Sequence, residues 1–271
     1  KIIKINEIME REGSVLRNNN LIAEQCERII LEKDSELWSR KIDDEDFLNI
    51  NLGSGDKTID IGITKEDPPF QMEQDNLSDI YYDVVNESRT IQNVPISISL
   101  VEEKIASVIG KNMKSLLEYM KSIVLQIIAL QNYRNLKLVF FVRNQDEWDY
   151  VRLLPHIWDD SNTVRFFASS RSDVNEISQF LEEEIAERIQ NDENNSGEKE
   201  FDYKKTGTYY LIITDNYREL QDTRIFNTIL EHDENLGFSL LCVSTNIAQL
   251  PNKCKTFIEI NYENSRVFEN E

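Results

Sequence analysis

Glycine and proline are scarce, with 8 and 5 among 271 residues, so collagen-like, elastic and linker-dominated chains are excluded. Cysteine is nearly absent. Cys26, Cys242 and Cys254 are odd in number and have no CxxC spacing, which argues against a disulfide framework or a zinc site and makes a reducing compartment the default. The most apolar stretch, from Ile123 to Leu130, is far shorter than the ~20 residues needed to cross a bilayer. No signal peptide precedes it, and a start at Lys1 without Met reads as a piece of something longer. Basic residues are also short, 30 Lys+Arg against 50 Asp+Glu for a formal charge of −20. A surface that acidic repels phosphate backbones and argues against nucleic-acid binding. What the chain has is apolar material: 40% hydrophobic residues, enough for a core, over a length suited to about two domains.

Residues 1–33 read as helix. Ile8, Val15, Ile22 and Ile29 recur every seven residues, with Met9, Leu16, Ala23 and Ile30 beside them. Such a stripe suits either an amphipathic helix lying on its own domain or a stalk leading to another element. Gly13 weakens the helix by about 1 kcal/mol relative to Ala without breaking it. Residues 34–90 have a different character. Leu37-Trp38-Ser39-Arg40 and the acidic run Asp43–Asp46 precede two strand-like pieces, 47–52 and 58–63, joined by a Gly53-Ser54-Gly55-Asp56 turn. The acidic run lacks the alternating spacing of a calcium loop and reads as a solvated turn.

From residue 91 the chain alternates apolar runs with amphipathic, helix-length segments. The runs are 94–100, 105–109, 136–142, 164–168, 209–214, 238–244 and 257–260; the helices are expected at 112–131, 145–153, 173–190 and 222–232. This alternation predicts a mostly parallel α/β sheet with helices on both faces. A polar stretch, 190–205, is expected to be a mobile loop.

In such a sheet, phosphate binds at the first strand-to-helix turn. The strand ending at Gly110 is followed by Lys111-Asn112-Met113-Lys114-Ser115, the place for GxxxxGK[ST]. Neither alignment completes the motif. With Gly110-Lys111 as the Gly-Lys pair, Ile105 replaces the leading glycine and Asn112 the hydroxyl. With Lys114-Ser115 as the Lys-Ser pair, the loop is two residues short and lacks its second glycine. Asp215, ending the apolar run 209–214, stands where a magnesium-binding acid would, but Asn216 follows it where a water-polarising Glu is usual. A strand end capped by an Asp-Asn turn explains the same pair. The only histidines, His156 and His232, form no catalytic pair, and no nucleophile elbow is present. Cys242 reads as a core residue, and Trp38, Trp148 and Trp158 as packing anchors.

Several of these stretches, in order, resemble one family. Leu37-Trp38-Ser39-Arg40 with Asp44-Glu45-Asp46-Phe47-Leu48, Val94-Pro95-Ile96, Val108-Ile109-Gly110, Glu147-Trp148-Asp149, Leu153-Leu154-Pro155-His156 and Leu250–Thr256 are similar to blocks of the membrane-anchored FtsK/SpoIIIE-type ATPases of type VII secretion, the EssC/EccC/YukB family. The resemblance covers about residues 34–262. It implies the membrane-proximal domain preceding the first ATPase module: a degenerate RecA/P-loop-like fold over 91–262, a small α+β subdomain over 34–90, a stalk over 1–33 and a linker over 263–271. It further implies a parent ATPase exporting WXG100-type proteins, tethered on the cytoplasmic side of the membrane. Partners would be the downstream ATPase domains, membrane secretion components and other copies in a hexamer. Carried over residue by residue, Gly110, Lys114, Ser115 and Asp215 would be vestigial nucleotide-site positions, with ATP and magnesium belonging to the parent protein. The expectation is a coupling domain without catalysis. The alternatives are an active ATPase with a divergent loop, and a binding module for substrate or ring partner.

Overall fold

The computed structural model describes residues 2–59, 89–195, 201–261 and 265–269. The chain divides into two compact units, one comprising Lys1–Leu21 and Asn51–Ser97, the other Ile22–Ile50 and Ile98–Glu271.

In the first unit, α1 (Ile2–Asn19) accompanies most of a two-stranded sheet of β1 (Asn49–Ile59) and β2 (Arg89–Ser99). Gly13 is buried in α1, where a Cβ would lie 3.4 Å from Cγ2 of Ile91, so it marks a close approach of helix to strand. The helix ends in its asparagine run: Asn20 bonds back to the Leu16 carbonyl, and Asn51 Nδ2 donates to the carbonyls of Asn20 and Leu21, each at 3.3 Å. The 1–33 segment is therefore two helices. Ile22 lies between them in extended conformation, the heptad register is lost, and Ile8, Val15 and Ile22 are exposed while Ile29 is buried. The expected 53–56 turn is instead continuous strand, with Gly55 opposite Ile96, whose Cγ1 a Cβ would approach to 3.0 Å. Of the piece expected at 58–63, residues 60–63 lie outside the described residues.

The second unit is a seven-stranded α/β sheet. It begins with α2 (Ala23–Glu32), and after β2 the chain runs α3 (Leu100–Glu103), β3 (Ile105–Gly110), α4 (Met113–Leu130), β4 (Leu136–Phe141), β5 (Phe167–Ala168) and α5 (Arg171–Asn195). There follow β6 (Tyr209–Thr214), α6 (Tyr217–Leu220), α7 (Arg224–Glu231), β7 (Phe238–Ser244), β8 (Thr256–Ile260) and β9 (Arg266–Glu269). The strand order is β5-β4-β6-β7-β3-β8-β9, parallel throughout except for antiparallel β9. Strands β3, β4, β6 and β7 are buried along nearly their whole length, which is why they read as unbroken apolar runs rather than alternating ones.

Ile105, Val139, Phe141, Ile212 and Leu240 share one core with Ile177, Leu181 and Ile185 of α5 and Ile225 and Phe226 of α7. The intervening strand residues, among them Val108, Leu138, Phe140, Ile213 and Leu241, are equally buried, so the opposite face is covered too. The apolar run 123–130 is the interior of α4, which packs against β3, β7 and α2.

Arg188 ties α5 to this sheet. Its buried guanidinium donates to the carbonyls of Leu236, Gly237 and Thr208, bonds Glu184, and lies 5.2 and 4.9 Å from the ring centroids of Tyr210 and Phe238.

Four expectations are corrected. The run 94–100 is not in the large sheet, because among the described residues β2 pairs only with β1. Residues 145–153 form a 3₁₀ helix rather than an α-helix. Within the stretch expected as linker, 266–269 is β9, held on β8 by an Arg266–Glu259 ion pair at 2.6 Å and Phe268 stacked on Phe257 at 5.3 Å. The loop expected at 190–205 is helical to Asn195 and ends in a 3₁₀ turn, Tyr203–Thr206.

Candidate functional site

The nucleotide-like positions fall at the C-terminal edge of the parallel sheet, where α/β proteins place their ligands. Only Lys111 and Asn112 separate β3 from α4. A backbone loop that surrounds a phosphate needs several more residues with glycine-like freedom. Gly110 has no left-handed φ. It is glycine because a Cβ there would lie 2.7 Å from the Ile260 carbonyl oxygen and 2.9 Å from Leu116 Cδ2, so β8 and α4 close directly on it.

The start of α4 is occupied by its own cap. Asn112 Oδ1 accepts from the Lys114 amide at 2.9 Å, taking one of the donors an anion would use. Lys114 and Ser115 are exposed on the first turn.

Asp215 follows β6, and β7 lies between β6 and β3. Register partners Thr214–Cys242 and Cys242–Ser107 put Asp215 level with Val108, so it sits about 12 Å from Gly110 by strand spacing and rise. Its carboxylate is engaged inside the protein: Oδ1 accepts from the Arg143 amide at 2.8 Å and Oδ2 from the Trp148 indole at 3.1 Å. Burial raises its pKa against the opposing pull of these bonds. Asn216 joins the same network. It accepts from Arg143 Nη2 at 2.8 Å and donates to Glu219 at 3.0 Å, while Arg143 also pairs with Glu219 at 3.2 Å. Gly110 is thus followed by a two-residue connection, and the Asp215 carboxylate is spent on Arg143 and Trp148. The residues present do not fit a magnesium nucleotide. Among the described residues, no group of three or more His, Cys, Asp or Glu side chains is placed to hold a metal.

The residues carrying the most specific sequence blocks converge elsewhere, at the C-terminal end of α4. The amides of Trp38 and Arg40 donate to the carbonyls of Ala129 and Leu130 at 2.8 and 2.9 Å, and the Trp38 indole donates to Ile128 at 2.9 Å. Three carbonyls that a helix end leaves open are satisfied in this way. His156 is fully buried, with Nε2 donating to the Gln131 carbonyl at 3.0 Å; its ring and those of Trp38 and Tyr133 meet at 4.9 to 6.5 Å. Nδ1 has no partner, and burial, opposed by the Gln131 bond and reinforced by nearby Lys137, lowers the pKa to about 4. This histidine is a neutral packing group.

Trp148 is fully buried beside Phe140, and Trp158 is half-buried beneath Arg165, 5.9 Å from its ring. The tryptophans face inward; the most exposed large apolar side chain here is Leu153, at 93%. The Trp148–Asp215 bond had no local sequence signal, because its partners are 67 positions apart.

No protein-family model matches the chain. It is 20% identical over 268 residues to the ESX secretion system protein EccC of Geobacillus thermodenitrificans, covering 97% of this chain and 17% of that protein. To the ESX secretion system protein YukB of Bacillus subtilis it is 18% identical over 259 residues, covering 94% and 17%. The chain therefore spans about a sixth of these relatives, by the same 17%. Two solved structures share the fold over 83% of this chain. The cytoplasmic domain of the Thermomonospora curvata type VII secretion ATPase EccC has a TM-score of 0.53 at 13% identity, with 25% of that chain covered. EssC (ATPases 2 and 3) from Geobacillus thermodenitrificans has a TM-score of 0.51 at 14% identity, with 39% covered. Over nearly its whole length the chain is similar in sequence to the EccC and YukB proteins of type VII secretion, and it shares a fold with the solved EccC and EssC structures.

Proposed function

We propose that this chain is a nucleotide-fold domain of a type VII secretion protein that has given up nucleotide turnover and acts as a coupling domain. It links the membrane assembly, on its cytoplasmic side, to ATPase modules elsewhere in the parent chain that export WXG100-type proteins. Copies of it would meet in a ring, most simply a hexamer. The observation that carries this reading is the two-residue β3–α4 connection, with the Lys114 amide already taken by Asn112. Asp215 supports it, since both carboxylate oxygens accept bonds from Arg143 and Trp148. The acidic surface contributes little per exposed contact, about 0–1 kcal/mol. Partner contacts should instead centre on apolar anchors, Leu153 before any tryptophan.

Calorimetry of the domain with Mg-ATP should show no binding heat. Micromolar affinity abolished by Lys114→Ala or Asp215→Ala would overturn the coupling reading in favour of an active ATPase with a divergent loop. In cells, deleting the domain from the parent should abolish export, while Lys114→Ala should leave it nearly unchanged. A complete export block by Lys114→Ala would make the domain an engine.

A further inference from the structure

A cleft of about 420 Å³ opens at the start of β4, remote from the β3–β6 edge, and is walled by Tyr133, Arg134, Lys137, Pro155, Asp160 and Asn162. Its size is that of a small-ligand site. Lys137 is a cation inside an otherwise apolar, fully buried strand, with its side chain only 5% exposed. An ammonium held in that environment requires an anion. The one it has is Asp160, at 2.7 Å, whose own side chain is 77% exposed.

An ammonium has three donors, and among the described residues Lys137 gives one to Asp160 and none to any other acceptor. Arg134, at the mouth, is exposed and its guanidinium has no partner among the described residues. The remaining acid, Asp159, is turned into its own loop. Its carboxylate accepts from the amides of Ser161, Thr163 and Val164 and from two hydroxyls; burial opposes ionisation, but these bonds together hold its pKa at about 2. Asn162, at φ 56°, fixes the bend that presents Asp160 to the cleft.

Asp160 is therefore a displaceable anion on a fixed cation. Moving the Asp160 carboxylate back into water costs little, because it is already 77% exposed, and the incoming anion keeps Lys137 paired. An incoming carboxylate would gain Lys137 and, through the planar fork of Arg134, a second charge-assisted contact. Tyr133 and Pro155 supply an apolar wall for the part of the ligand attached to the carboxylate. The fixed charge of Asp159 nearby favours a monoanion over a polyanion.

We propose that this cleft binds a carboxylate of amino-acid to tripeptide size, with Lys137 exchanging Asp160 for the carboxylate of the ligand and Arg134 closing over it.

The experiment titrates the 271-residue chain with N-acetyl-alanine, with an N-acetylated tripeptide ending in a free carboxylate, with the amide of that tripeptide and with inorganic phosphate, at constant ionic strength. Backbone amide NMR is the readout. Either free acid should shift the signals of residues 133–137 and 159–162, and the amide should not. Equal affinity for both acids assigns a small carboxylate, and tighter binding of the tripeptide assigns a peptide C-terminus. Arg134→Ala, at an exposed position that folding tolerates, should weaken binding about tenfold, in line with loss of one charge-assisted contact. Asp160→Asn should strengthen it several-fold by removing the competitor, an effect that a purely structural Lys137–Asp160 pair would not produce. No shift with any probe at millimolar concentration, equal binding of acid and amide, phosphate matching the carboxylates, or weaker binding in Asp160→Asn would each overturn the proposal.

Discussion

The two ends of α4 are built in opposite ways. Its N-terminus meets solvent with Lys114 and Ser115 exposed, and its amide cap comes from Asn112, the adjacent residue. Its C-terminus is closed by residues far away in sequence: Trp38 and Arg40 take three carbonyls, and His156 takes that of Gln131. In a working phosphate-binding helix the N-terminus would hold the long-range chemistry. Here the long-range bonds have been kept at the end that holds the fold together, while the end that would hold a ligand relies on local capping.

Substitutions at the two ends should differ in scale. The largest effect is expected from Trp38→Ala, which removes a large half-buried side chain and the Ile128 bond; about 3 kcal/mol should be lost in urea denaturation. Next is the pH response of His156. Its pKa is about 4 when folded against 6.5 in the unfolded chain, so the unfolded state binds the extra proton. The stability it contributes is present above 6.5 and is lost as pH falls through the folded pKa, by about 3 kcal/mol in all. His156→Gln should flatten the curve in that window; an unchanged slope would mean the histidine titrates normally. Asp215 works with the opposite sign, because burial raises its pKa and its ionisation disfavours the fold as pH rises above 3.8. At the other end of the helix, Asn112→Ala should cost only about 1 kcal/mol, as the loss of an N-cap does. Lys114→Ala should change stability by less than about 0.5 kcal/mol. A loss at residue 112 or 114 as large as at Trp38 would erase the distinction.

The legible parts of the sequence were those whose environment is uniform along the chain. Strands β3, β4, β6 and β7 are buried on both faces, so their residues are apolar throughout and their limits were readable. By contrast, Arg266–Glu269 carries two charges in four residues and becomes a strand only because β8 offers it an edge. The run 94–100 was recognisable as a strand, yet nothing local told which sheet it joins. That Gly110 ends a strand, that Asp215 follows one and that Lys114 and Ser115 open a helix all followed from the apolar runs. What occupies Asp215 did not, because Trp148 reaches it only through folding. Lys137 was the one available hint of the β4 cleft, a charge where every neighbour is apolar.

The Arg188 staple restricts how this chain could have diverged. Gly237 has a φ of 85°, and a Cβ there would lie 2.2 Å from Arg188 Nη1. Any side chain at 237 must therefore evict a guanidinium that serves three carbonyls and two aromatic rings. Replacing Arg188 first would strip the buried Leu236 carbonyl of its donor, while the carbonyls of Gly237 and Thr208 keep the Tyr210 amide and the Thr206 hydroxyl. A side chain at 237 therefore has to wait on the loss of Arg188, so the two positions should change together or in that order.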